Sequence, residues 1–252
     1  MARKAPLTLP EVNFSDDGPV RHLHLDSIWI QGSMLVDAPL VLVHEYVQRM
    51  MAWLLFVDPA TVSKRQALQL GLGAASLTKF CYKVMQMKTA AIELNPQVVA
   101  ACRGWFKLPQ DNARLQVVLA DASQEIRQPR WLGAVDALQV DLYDQEAAGP
   151  VFDSAEFYAD CRKVLTEDGC MTVNLFGRTS SFQRSVDNMV AAFGKEAIWA
   201  FKATREGNTV VLAQRTPVRP SRALLFERAD VIQRQWGLPA DKWVRVFKPV
   251  YP

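Results

Sequence analysis

The sequence lacks any apolar run long enough to cross a bilayer. Its longest, MMAWLLFV at 50–57, has eight residues, whereas a helix spanning a hydrocarbon core of roughly 30 Å needs about 20. The opening, MARKAPLTLPEVNF, is broken by prolines and has no apolar stretch of the secretory kind. The expectation is a cytoplasmic protein that does not enter the membrane. Cysteine is scarce: Cys81, Cys102, Cys161 and Cys170 stand far apart with no C-x-x-C pair. Neither a zinc site nor a disulfide framework is indicated, and all four read as small core residues in a reducing compartment. Histidine is scarcer still, and His22, His24 and His44 have no metal-ligand spacing, so no metal is expected. An excess of one charge is also missing, the net value being +3; residues 215–252 hold eight Arg or Lys against three Asp or Glu. That tail lacks the aromatic and basic interleaving of single-strand binders, which favours a solvated helix face over a nucleic-acid surface.

Apolar residues make up half of the 252, enough for a substantial core in one large domain with appendages. In HLHLDSIWIQGSMLVD, Leu23, Leu25, Ile28 and Ile30 recur at period two around Asp26-Ser27 and Gln31-Gly32, which predicts a β-hairpin. PLVLVHEYVQRMMAWLLF carries apolar residues at 40, 43, 47, 50, 51, 54 and 55, the spacing of a helix with a wide buried face. From residue 66, β-rich runs alternate with helical patterns. QALQLG, TAAIEL, RLQVVLAD, VDALQVDL and GCMTVNLF are separated by helices at 75–87, 96–106, 123–127 and 154–165. Five such strands predict an open parallel sheet covered on both faces. After a helix at 179–193, AIWAFKAT and TVVLAQR are joined by REGN, a tight-turn signal that predicts a closing antiparallel pair. Ser221 and Gly237 bracket a final helix as cap and stop. The expected division is 1–39, 40–216 and 217–252.

The chemistry gathers at the strand ends, where ligands of open α/β sheets bind. Gly71 and Gly73 follow the first parallel strand, where missing side chains allow a tight turn and let ligand atoms reach the backbone. Glu93 closes the second strand about twenty residues later, placed to accept ribose hydroxyls. Asp121, at the end of the third, is placed to accept from an adenine amino group while the Ala122 amide meets a ring nitrogen; as a bare aspartate it also suits a helix cap. Beyond the fourth strand, VDLYDQEAAGPVFDSAEFY holds Asp141 and Asp144. Carboxylates there attract a cationic amine and take its proton, which it must lose before acting as a nucleophile. Tyr143 and Phe152 offer apolar walls, whereas Phe157 and Tyr158 keep helical spacing with Cys161 and Leu165 and read as core.

From HEYVQRMM through LGLGAASL, AIELNPQVV, VVLADAS and VDLYD to VLTEDGCMTVNLF, the chain resembles the spermidine synthase family of polyamine aminopropyltransferases. The resemblance covers roughly residues 28–215. It implies an α/β methyltransferase-like Rossmann fold, a mainly parallel seven-stranded sheet with a terminal antiparallel hairpin, preceded by a small N-terminal β region. It further implies a homodimer, an adenosyl sulfonium co-substrate (S-adenosylmethionine or its decarboxylated form) and a small-molecule amine acceptor. On this likeness Glu93 binds ribose, Asp121 and Ala122 hold adenine, Asp141 activates the amine and Asp144 helps seat it, with Gln31 and His44 near the ligand. Ala74 stands where the family has an acid for the donor's free amine, and Asn95 replaces another acid. Three readings follow: aminopropyl transfer, small-molecule methyl transfer from intact S-adenosylmethionine, and a catalytically silent scaffold.

Overall fold

In the computed structural model, which describes residues 9–143, 150–176 and 179–251, two sheets form. The first is antiparallel, with strands β1 (Val12–Asp17), β2 (Val20–Leu25) and β3 (Ile30–Leu35) in that order. The predicted hairpin is β2 with β3. The strand before it comes from VNFSDD, whose mostly exposed residues give no alternation to read.

The second sheet has eight strands: β4 (Gln66–Leu70), β5 (Lys88–Glu93), β6 (Leu115–Leu119), β7 (Val135–Val140), β8 (Leu165–Phe176), β9 (Ile198–Phe201), β10 (Asn208–Gln214) and β11 (Phe247–Pro249). Their order is β11-β9-β10-β8-β7-β4-β5-β6. β4 to β8 run parallel, and β10 and β9 close the sheet antiparallel. The seven expected strands are therefore joined by an eighth, FKP, which pairs antiparallel with β9. Three residues are too few for a periodic signal, and only the fold of the C-terminal chain brings them to the edge.

Helices α1 (Glu45–Arg49), α2 (Ser76–Lys79), α3 (Pro96–Trp105), α4 (Ala122–Glu125), α5 (Ala155–Val164), α6 (Thr179–Phe193), α7 (Arg222–Trp236) and α8 (Ala240–Val246) complete the fold. Local chemistry sets several starts. Asn95 accepts from the Gln97 amide at 2.9 Å with Pro96 in the first turn, and Ser154 accepts from Phe157 at 3.2 Å. Ser221 caps α7, and Gly237 ends it at φ 70°, a left-handed stop that suits glycine.

The helix predicted over 40–55 is broken: α1 has five residues and Ala52–Phe56 is a 3₁₀ turn. Met50 through Leu55 have no exposed surface at all, so the run has no solvent face, and the amphipathic spacing mistakes all-round burial for one broad stripe. The Met50 carbonyl instead accepts from Thr172 Oγ1 on β8 at 3.0 Å and from Gln139 Nε2 on β7 at 3.4 Å. These polar strand residues lock the segment to the sheet. One core cluster joins it to Leu225, Ile232, Trp243 and Phe247 on that face, and a second fills the opposite face under α5 and α6. All four cysteines are buried, as are Phe157 and Tyr158.

Candidate active site

Gly71 and Gly73 leave β4 at φ 87° and 49°, the left-handed region that glycine enters at no steric cost. Space requires them as well. A Cβ on Gly71 would lie 2.3 Å from the Asp141 carbonyl oxygen, and one on Gly73 would lie 2.9 Å from that of Gln31. The loop is thus gripped from two sides, by the end of β7 and by β3. Ala75 follows at φ 57°, a conformation that costs an alanine roughly 1–2 kcal/mol. A chain held in such a shape is fixed by its surroundings.

The first parallel strand end and the second meet through Glu93. Its Oε2 accepts from the Leu72 amide at 3.0 Å and its Oε1 from Asn95 at 2.8 Å. Burial raises its pKa above the ordinary glutamate value, with these amides pulling the other way. The carboxylate is therefore oriented on the rim of the glycine loop, and each oxygen retains lone pairs for further donors. Asp121 caps α4, accepting from Ser123 N at 2.8 Å, Ser123 Oγ at 2.6 Å and Gln124 N at 3.2 Å. All three bonds converge on Oδ1. Its capping role is real, and it places the buried Ala122 at the head of the short helix.

Asp141 sits just past β7, its amide bound to the Leu70 carbonyl at 3.0 Å. Asn174, near the end of β8, donates from Nδ2 to Asp141 Oδ1 at 2.9 Å. Burial away from water pushes the Asp141 pKa up to about 6, while Asn174 and the Tyr46 hydroxyl oppose the rise. The group is a carboxylate at neutral pH yet holds a proton far better than a solvated aspartate, which is what a general base requires. Tyr143 donates to the Asn174 carbonyl at 2.9 Å and accepts from the Phe176 amide at 2.7 Å. It braces the strand ends rather than opening a wall. Asp144 lies outside the described residues.

The N-terminal sheet forms the other side. Ser33 Oγ lies 2.6 Å from His44 Nε2 and 2.8 Å from His22 Nδ1, and the Ser33 carbonyl accepts from Ser76 Oγ at 3.1 Å. The His44 ring stacks on Tyr46 at 5.9 Å, and burial beside His22 holds its pKa below the usual range. Gln31 touches the loop through its backbone, as Gly73 shows. The tightest approach of this sheet to the loop is at Gly32, where a Cβ would stand 2.6 Å from the Ala74 nitrogen. Ala74 is 2 % exposed, so β3 covers the position at which the resemblance leads one to expect an acid.

The structure thus brings Gly71, Gly73, Glu93 and Asp141 around one loop, with Gln31 against it, His44 one residue removed through Ser33, and Asp121 two strand ends away. Sequence reasoning missed Tyr46, Asn174 and Gly32. Asn174 had a signal, a carboxamide near the end of the apolar run CMTVNLF. Tyr46 and Gly32 had none that local pattern supplies.

No protein-family model matches the chain. It is 31 % identical over 252 residues to a polyamine aminopropyltransferase of Neisseria meningitidis serogroup A, covering 99 % of this chain and 94 % of that one. The chain belongs to the polyamine aminopropyltransferase family. Two solved structures agree on the fold. A probable spermidine synthase from Corynebacterium glutamicum superposes with TM-score 0.74 at 20 % identity, over 93 % of this chain and 88 % of that one. Human methyltransferase-like protein 13, in complex with SAH, does so with TM-score 0.69 at 22 % identity, over 77 % and 93 %. As a polyamine aminopropyltransferase family member, the chain keeps the methyltransferase-like sheet order and adds the N-terminal antiparallel sheet that packs on the glycine loop. No group of three His, Cys, Asp or Glu among the described residues is placed to hold a metal, and no helix among them is long and apolar enough to cross a membrane.

Proposed function

We propose that this chain transfers an aminopropyl group from decarboxylated S-adenosylmethionine to an amine of a polyamine. The observation that carries the reading is the position of Asp141, a crowded carboxylate of raised pKa one residue beyond β7 and in contact with the loop that Glu93 also borders. The donor's adenosyl part fits that loop. The glycines leave its backbone open to close approach, Glu93 is assigned to the ribose hydroxyls, and Asp121 Oδ2, which takes none of the three cap bonds, is assigned with the Ala122 amide to adenine.

Asp141 removes a proton from the bound ammonium. The freed nitrogen lone pair attacks the donor's propyl carbon, the new C–N bond forms as the C–S bond breaks, and the thioether leaves with the sulfur electron pair. Asn174 and Tyr46 hold the carboxylate in place through the step, and orientation of the two reactants supplies several kcal/mol of the acceleration. Asp144 is assigned to seat the amine. His44 and Gln31 are assigned to the donor side of the cleft, where β3 meets the loop.

The finer expectations belong to the same reading: a homodimer in the cytoplasm. Ile28 at 88 % exposure, beside Trp29 and Ile30 at 47 %, makes an apolar tip on the β2–β3 turn, a surface that favours burial against a second copy. Light scattering on the full chain tests this. For the activity, the test is mass spectrometry after incubation with either donor and a panel of diamines and polyamines. An aminopropylated product lost in Asp141→Asn is expected; methylated product from intact S-adenosylmethionine, with none from the decarboxylated donor, refutes it.

A further inference from the structure

We propose that Glu206, on the turn between β9 and β10, holds the second ammonium of the acceptor while Asp141 deprotonates the first; the inference rests on the aminopropyl-transfer reading. A polyamine presents at least two cations, and only the attacking nitrogen loses its proton. The other stays charged throughout and requires an anion of its own, because Asp141 and Asp144 are both assigned to the reacting end. Selection of a diamine over a monoamine depends on such an anion.

The turn is built onto the site. The Thr204 amide donates to the Asn208 carbonyl at 2.8 Å, Gly207 to the Thr204 carbonyl at 3.2 Å, and Asn208 N to Thr204 Oγ1 at 3.3 Å. Asn208 Nδ2 then donates to Asn174 Oδ1 at 3.1 Å, and Asn174 is the residue that donates to Asp141. Two carboxamides in series therefore fix the turn to the base. Gly207, at φ 97°, lies on the Phe176 ring, which a Cβ there would meet at 3.3 Å. This seats the turn over the end of β8.

Glu206 is exposed on that turn and forms no ion pair among the described residues. Its own amide and the Thr204 side chain hold it ionised, and it lies within electrostatic reach of His44. Asp141 is the inner anion and Glu206 the outer one, with Tyr46 bound to Asp141 and its stacking partner His44 within electrostatic reach of Glu206. Arg205 precedes Glu206 and opposes a cation there, which supplies a test of opposite sign.

The experiment is calorimetric titration of the full chain with putrescine and with butylamine, paired with steady-state kinetics. Glu206→Gln weakens putrescine binding about threefold to fivefold, the scale of an exposed ion pair. It leaves butylamine binding unchanged and raises KM for putrescine while kcat is retained. Arg205→Gln tightens putrescine binding by a similar factor. Equal losses for both amines, or no loss for putrescine, overturn the proposal. If the charge-dependent putrescine binding is found but wild type forms no aminopropylated product, the site stands and the reaction reading falls.

Discussion

Replacing Asp141 by asparagine separates the cost of a buried base from its use. Burial moves this carboxyl from 3.8 to about 6. Because the folded value lies above the unfolded one, its contribution to stability is fully present below about pH 4 and is lost as pH rises through about 6. The gap of about two units corresponds to about 3 kcal/mol at 1.36 kcal/mol per unit. The residue is partly exposed, and solvent screening reduces the figure carried forward to about 1–2 kcal/mol. The amide of Asp141→Asn still accepts from Asn174 but carries no proton linkage. The variant is therefore expected to be more stable than wild type by about 1–2 kcal/mol near pH 8 and to converge with it near pH 4. Urea unfolding midpoints at stepped pH measure the difference, in which the titration of every other group cancels. Turnover falls by about a hundredfold or more. Parallel stability of the two proteins from about pH 4 to pH 8 refutes the perturbed carboxyl, and retained turnover refutes its role.

Tyr46→Phe removes a hydroxyl that favours the ionised Asp141, so the acid limb of the kcat/KM profile moves upward by roughly half a unit to one unit; a pH–rate series checks this, and a downward shift contradicts it. Gly32→Ala forces a methyl against the Ala74 backbone and is expected to cost about 1–3 kcal/mol, read as a lower urea midpoint, with looser donor binding because the loop moves. Glu93→Gln weakens the donor by about tenfold through loss of charge-assisted bonds to ribose, measured by calorimetry with decarboxylated S-adenosylmethionine, with amine affinity unchanged.

Local pattern determined most of the scaffold. A period-two run placed the N-terminal hairpin, β-rich runs between helical patterns placed the sheet strands, Ser221 marked a helix start, Gly237 marked a stop, and the acids and glycines at strand ends fell where the parallel sheet gathers them. These signals are local because a strand's face and a helix's cap depend on neighbours a few residues away. Tertiary structure alone decided which of them meet. Asn174 reaches Asp141 across 33 residues because β8 pairs with β7. Gly32 reaches Ala74 because the small sheet folds down onto the loop, and no spacing in either segment encodes that approach. The same holds for 50–55, where burial on every side replaced the continuous helix its spacing predicts. Sequence periodicity reports how many faces are apolar, but only packing decides which neighbours cover them and which polar groups are left to meet at the site.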